Sequence, residues 1–252
     1  MEKDKKDELI LEMEERMYAP LQWEAHTAPC KIQDLKAAQY EEALRLIKHH
    51  FFREEPMCKA ASLLEDRKSV GALLDLTKTW MKDNTSLVAL SLTSGRVIGV
   101  AVTRVNSDSD KTDTYNRVLK FEGDTLENIM RLINAVIKQT NAYKAFDCET
   151  YLRVHLLCVH PSYQRKGVGL SLLTTCVQVA STLKIPAIGG VFTSGYSQSL
   201  ATKLGFDLVS EIRYSRWTVN DKVVFDDPGK GNYSAAFMGM RISPAEEYIH
   251  ES

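Results

Sequence analysis

The chain has 252 residues, 44% of them apolar and 26% charged, with a formal net charge of −1. That length can bury a real core in one large domain or two small ones, and near neutrality argues against a whole-molecule field that recruits nucleic acid or an anionic membrane. No apolar run approaches the ~20 residues a bilayer span needs, and the five cysteines are odd in number and scattered, with no C-x-x-C pair, which argues against a disulfide framework or a structural zinc site.

In chain order, "MEKDKKDELILEMEERM" alternates acids and bases and lacks the apolar centre of a signal peptide. Residues 1–17 read as a charged helical arm ahead of a single domain over 18–252. With reduced cysteines this points to the cytoplasm, so the N-x-S triplets at Asn84 and Asn232 are incidental. "LQWEAHTA" (residues 21–28) offers a first strand, and residues 32–52 space Leu35, Ala38, Tyr40, Ala43, Leu46, Ile47 and His50 as a helix. That helix stops before Pro56, since the residue preceding proline is pushed toward extended geometry. A second helix falls within residues 62–84. "SLVALSL" and "RVIGVAVTRV" form a hairpin. A third helix spans residues 125–143, and "YLRVHLLCV" is a strand. "VGLSLLTTCVQVASTLK" is a helix, "AIGGVFT" a strand and "YSQSLATKL" a small helix; "GFDLVSEIRY" and "YSAAFMGMRI" close the chain as strands. Antiparallel pairings around one strand–helix–strand crossover predict an α/β fold of the α+β type: a mixed, mostly antiparallel seven-stranded sheet with helices on both faces.

The seam between the long strand and the following helix, "VHPSYQRKGVGLSLL", carries the first chemical signal. A helix N-terminus presents unpaired N–H groups and the positive end of the helix dipole, a ready anion site. Gly167 and Gly169 let the backbone approach a ligand closely, while Arg165 and Lys166 add charge. A phosphate or pyrophosphate is the natural candidate, and a basic turn relaxed by glycine is the plain alternative. A dinucleotide fingerprint would need a third glycine near Leu172, and "GKG" at 229–231 lacks the Ser or Thr of a Walker loop.

The longer stretch "LLCVHPSYQRKGVG", with Gln164, Gly167 and Gly169 at its key positions, resembles the acetyl-CoA motif of the GNAT superfamily. "LATKLGF" (residues 200–206, with Lys203 at its centre) resembles that family's second, shorter cofactor segment. The resemblance implies an acyl donor held by free backbone groups at Leu157, Cys158 and Val159. It implies a pyrophosphate held by Gln164 and the backbone from Arg165 through Lys166, Gly167, Val168 and Gly169 to Leu170. "FFREEPMC", the inserted helix and "TSGYSQSLATKLGF" further resemble the insect arylalkylamine N-acetyltransferase family. By that resemblance Glu55 is the general base, Ser197 and Thr193 occupy positions of the family's two serines, and the reaction is direct acetyl transfer to a small primary amine.

The chemistry calls for such residues. An ammonium with a pKa of about 10 must lose a proton before it can attack a thioester, and carboxylates that do this work are tuned by burial or neighbouring charge. Glu55 follows Glu54, lies at a helix end and has Phe51 and Phe52 close by, an aromatic pair able to wall an amine pocket together with Glu54. The plain alternative is two solvated acids at a helix end. The departing thiolate needs a proton, for which Ser197 and the adjacent Tyr196 are candidates; Thr193 keeps a hydroxyl where the family has serine. Ser197 could equally serve as a turn or cap hydroxyl. "HLLCVH" invites a metal reading, but strand alternation puts His155 opposite Cys158 and His160, and no metal is expected. Cys158 reads as core rather than an acyl carrier. Nucleic acid and membrane partners are not expected, nor assembly beyond a monomer or weak dimer. The rival readings are a protein or peptide lysine acetyltransferase, which predicts an open acidic groove, and a non-catalytic CoA-binding protein.

Overall fold

In the computed structural model, residues 20–24, 28–108 and 121–242 are described; the charged arm expected over residues 1–17 lies outside them. β-Branched and apolar runs build the centre of the sheet. β3 (Leu87–Ser91) and β4 (Val97–Ser107) form the expected hairpin, and β4 pairs antiparallel along β5 (Thr150–Val159). β5 then runs parallel to β6 (Ala187–Phe192), the one parallel pairing among the described residues. Beyond it, β10 (Ser234–Arg241) inserts between β6 and β7 (Asp207–Arg213), antiparallel to both. A two-stranded ribbon, β8 (Thr218–Val219) and β9 (Lys222–Val223), stands apart.

The main sheet has eight strands, in the order β1–β2–β3–β4–β5–β6–β10–β7. The strand beyond the expected seven is β2 (Cys30–Asp34), which the sequence reading merged into the first helix because Ile32 and Leu35 sit at helical spacing. Tertiary pairing overrides that spacing. β2 lies between β1 (Gln22–Trp23) and β3, and the Asp34 carboxylate accepts from Trp23 Nε1 at 3.0 Å and from the Leu21 N–H at 3.2 Å.

Helices cover both faces. On one side lie α1 (Tyr40–Leu46, continued by a π-helical turn over Ile47–Phe51 and by Phe52–Glu54), α2 (Pro56–Ala60), α3 (Arg67–Met81), α4 (Asp124–Lys138) and α5 (Ala142–Phe146). They share a core with Val88, Val100, Leu156, Cys158 and Phe237. On the other side α6 (Val168–Thr182) and α7 (Gly195–Lys203) pack on Ile32, Ala89, Ala101, Leu152 and Ile188. Gly99 sets the closeness of α6: a Cβ there would fall 2.9 Å from the Leu172 side chain and 3.1 Å from Val168. Asp66 caps α3, accepting from the Ser69 N–H and hydroxyl and from the Thr125 N–H of α4. One carboxylate thus ties two helices.

Two local irregularities shape the site. The π-helical turn inserts an extra residue just before the acidic pair, a device common where a helix serves a site. In β5, Leu156 pairs with Val102 but Val154 pairs with Thr103, so His155 is the extra residue of a β-bulge. Strand alternation, which would set His155 opposite Cys158, is therefore broken at that point. Tyr151 and then Leu156 and Cys158 face the same core, and His155 joins that side, stacked on Trp80 with ring centroids 4.1 Å apart.

Candidate active site

The strand–turn–helix seam folds as its composition dictates. After His160, Pro161–Tyr163 make one 3₁₀ turn, Arg165 and Gly167 take left-handed backbone conformations (φ 59° and 83°), and α6 begins at Val168 with no side-chain cap. The first N–H groups of α6 are thereby left facing outward, as an anion cradle requires. A Cβ on Gly169 would meet only Val159, at an ordinary 3.7 Å, so the protein itself makes no demand for glycine there, whereas close backbone approach by a ligand does. Beside the cradle, β5 and β6 pair only from Leu152 to Val154 and part beyond it, leaving the Leu157–Cys158–Val159 edge open toward β6. The donor set fits the pyrophosphate and amide-rich arm of a coenzyme A thioester.

Gln164 spans the opening. Its Nε2 donates to Glu54 Oε2 at 2.9 Å and reaches the Val159 carbonyl at 3.4 Å, linking the cradle to the acidic pair. His50 stands nearby, edge to face with His160 at 4.6 Å between centroids. Its imidazole is pulled below the ordinary range mainly by partial burial and next by His160, with Glu54 opposing.

Glu55 sits at the break between α1 and α2. Its N–H still closes α1, donating to the Phe51 carbonyl at 2.8 Å, and its ψ of 130° turns the chain out ahead of Pro56, which opens α2. Rather than only ending a helix, Glu55 caps the next one: Oε2 accepts from the Cys58 N–H at 2.7 Å. Glu55 is 7% exposed, and its other oxygen, Oε1, is buried with no hydrogen-bond partner among the described residues. Burial, and after it the nearby Glu55 carboxylate, pushes the Cys58 thiol well above its ordinary range. The phenol of Tyr214 is raised by the same two causes, and its hydroxyl donates to the Thr193 carbonyl at 2.5 Å.

His50, Glu54, Glu55, Cys58 and Gln164 line one cavity of about 430 Å³. Of the expected site residues, it brings together Phe51, Glu54, Glu55, Leu157, Cys158, Val159, Gln164, Arg165, Gly169, Thr193, Tyr196 and Ser197. Phe52 is a correction: it is fully buried in the core, because successive helical residues point about 100° apart and only Phe51 can face the cavity. Val168, the first residue of α6, is also buried, its side chain on the sheet, so only its backbone is available to the cradle, and Lys166, Gly167, Leu170 and Lys203 are not among the lining residues. Ser197 occupies the third position of α7 in a reciprocal capping box. Its Oγ accepts from the Ser194 N–H at 3.2 Å and donates to the Ser194 carbonyl at 2.9 Å. Tyr196, 63% exposed, carries its phenol at the rim. Cys158 is buried, its thiol pushed up to about 12 by desolvation, unsuited to carry an acyl group. Among the described residues no three His, Cys, Asp or Glu side chains gather as a metal site. Sequence reasoning placed none of Trp80, Met130, Arg153 and His155 in a pocket, though all four line this cavity; they come from α3, α4 and β5, and the one pattern that drew notice to His155 suggested a metal instead.

The family model described as Acetyltransferase (GNAT) family matches residues 61–206, the span that holds the cradle, the open edge and α7. The chain belongs to the GNAT acetyltransferase family. The GNAT chain is 26% identical over 175 residues to an acetyltransferase of Stachybotrys chartarum, covering 65% of this chain and 68% of that one. Its fold resembles a solved chain assigned as insect arylalkylamine N-acetyltransferase 7 of the yellow fever mosquito Aedes aegypti, with TM-score 0.80, 26% identity, and 89% and 96% of the two chains covered. It also resembles a Drosophila melanogaster polyamine N-acetyltransferase that forms N-acetylagmatine, with TM-score 0.71, 21% identity, and 83% and 98% covered. As a GNAT member it uses acetyl-CoA, and the cradle and open edge are where such a donor fits.

Proposed function

We propose that this acetyltransferase moves an acetyl group from acetyl-CoA to a small primary amine, an arylalkylamine of the dopamine, serotonin or tyramine type, by direct transfer in a ternary complex. The observation that carries this reading is Glu55 Oε1, a buried carboxylate oxygen without a partner among the described residues, on a side chain lining a cavity that reaches the open edge of β5. Glu55 takes the proton of the ammonium. The edge at Leu157, Cys158 and Val159 holds the thioester carbonyl against the incoming nitrogen. Tyr196 gives a proton to the departing sulfur, because the Ser197 hydroxyl is committed to Ser194, and Ser197 fixes the end of α7 beside Thr193. Phe51, Trp80 and Met130 favour an aromatic body over a peptide, which would call for an open acidic groove. The Aedes neighbour is described as acting on arylalkylamines and the Drosophila one as forming N-acetylagmatine, so both amine classes belong in the test.

That test is release of free thiol from acetyl-CoA with an amine panel, for wild type and Glu55→Gln, from pH 6.5 to 10. Wild type should turn over aromatic amines. The variant should lose roughly 10²–10⁴-fold in kcat/KM at neutral pH, the usual worth of a general base, and regain activity as pH approaches about 10, where the amine deprotonates unaided. Donor binding with silence across the panel would instead support a non-catalytic CoA-binding protein.

A further inference from the structure

The "GKG" at 229–231 and the N-x-S triplet at Asn232 belong to one loop, residues 228–232, that docks on Gly195, the first residue of α7. Left-handed Gly229 and Gly231 (φ 86° and 85°) shape the loop, and the Gly229 N–H donates to Asp227 Oδ1 at 3.1 Å. Gly231 and Tyr233 are exposed, while Asn232 between them turns inward and is half-buried. Both ends of its amide are committed. Nδ2 donates to the Pro228 carbonyl at 2.9 Å, and Oδ1 accepts from the Gly195 N–H at 3.1 Å.

The contact is tight. A Cβ on Gly195 would collide with the Gly231 carbonyl oxygen, so loop and helix fit together only with glycine at 195. On its other flank the loop reaches the helix that Glu55 caps: a Cβ on Gly229 would meet Lys59 Nζ at 3.9 Å. The loop thus stands between α2 and the turn of α7 that brings Tyr196 to the cavity. The flanks of that turn are tied to the body of the fold. Tyr214 donates to the Thr193 carbonyl, and Gln198 Nε2 donates to the Phe192 and Ser234 carbonyls at 3.0 and 2.9 Å. The Gly195 N–H, which as a first-turn donor has no partner within its helix, is taken by Asn232.

We infer that Asn232 is a positioning residue for the transfer: by holding the Gly195 N–H it fixes the first turn of α7 and, through it, the reach of the Tyr196 phenol to the departing sulfur. This rests on the proposed acetyl transfer with Tyr196 as the acid. Tyr196 is 63% exposed, so packing does not set its place and the backbone beneath it has to. A reacting group displaced by about 1 Å can cost a reaction as much as a hundredfold. The clamp sits one residue away from the phenol whose place it sets.

The experiment measures kcat and the KM for acetyl-CoA in wild type, Asn232→Ala, Asn232→Asp, Gly195→Ala, Tyr196→Phe and the Asn232→Ala/Tyr196→Phe double variant, and follows the Gly195 amide by hydrogen exchange. Asn232→Ala should lower kcat by on the order of tenfold to a hundredfold with little change in that KM. Asn232→Asp keeps the acceptor oxygen and adds a charge suited to a helix N-terminus, so it should restore most of kcat. Gly195→Ala pushes the loop away without altering Asn232 and should reproduce the loss; it stands in should Asn232→Ala fail to fold. In the Tyr196→Phe background, Asn232→Ala should lower kcat by no more than about twofold, because both changes act on one step. An undiminished loss in that background overturns the inference, as does Asn232→Asp proving as slow as Asn232→Ala. Should wild type release no thiol with any amine, the proposed transfer fails and hydrogen exchange decides the positioning by itself. Exchange at Gly195 about fivefold faster or more in Asn232→Ala keeps Asn232 as the clamp of α7; unchanged exchange overturns both.

Discussion

Glu55 divides its two carboxylate oxygens between a helix and the cavity. Oε2 holds the start of α2 through the Cys58 N–H, and Oε1 is left over in the cavity. Glutamate is not a favoured helix cap, so the capping oxygen alone does not account for this side chain. Glu55→Asp shortens the arm by one methylene; it should keep most of the stability, measured by thermal melting, yet lose activity as Oε1 withdraws from the amine. Rim and cap separate in the same way. Tyr196→Phe should lower kcat with little change in melting temperature. Ser197→Ala should cost about 1 kcal/mol of stability, since it removes half of the capping box, and lower kcat less than Tyr196→Phe does. A larger kcat loss in Ser197→Ala would move the acid to serine.

At the scale of elements, the Asp66 tie between α3 and α4 carries a pH signature. Hydrogen bonds from the Ser69 hydroxyl and N–H lower its pKa from 3.8 to about 2. A carboxyl group with a lowered folded pKa binds fewer protons folded than unfolded, so its contribution is complete above about 3.8 and is lost as pH falls through about 2. Asp66→Ala should flatten the acid limb of stability against pH in that window, read by circular dichroism. The elements also show where sequence reasoning succeeds and where it stops. The seam at residues 159–173 was legible because its signals are local: an apolar run, a proline, left-handed turns and then helical periodicity. β2 was not, because Ile32 and Leu35 satisfy a helical spacing that pairing with β3 overrides. Phe51 and Phe52 read alike in sequence, yet the helix sends one to the cavity and the other to the core.

For the molecule as a whole, burial governs the thiols. All five cysteines are free, and burial is the leading cause raising each one's pKa, Cys158 and Cys176 to about 12. Native protein at pH 8 should therefore react at the half-buried Cys148 first and release the four buried thiols, Cys30, Cys58, Cys158 and Cys176, only on unfolding, as colorimetric titration would show. The proposed donor site would join elements from both faces of the sheet, since Gln164, just ahead of α6, donates to Glu54 of α1. CoA at a hundred times its Kd should add about 2.7 kcal/mol and raise the melting temperature by roughly 5–10 °C. Gly167→Val, strained at a φ of 83°, should shrink that shift more than it lowers the melting temperature of the free protein.

The bulge at His155 bears on how such an enzyme can change its diet. Remove that residue, and the ladder between β4 and β5 runs without a gap: Leu156 still meets Val102, Val154 still meets Thr103, and every other side chain keeps its face. The strand therefore carries a detachable unit, one whose loss alters the wall of the cavity while the Leu157–Val159 edge stays in place. A lineage could reshape this cavity by a single codon deletion, without moving the strand edge beside it.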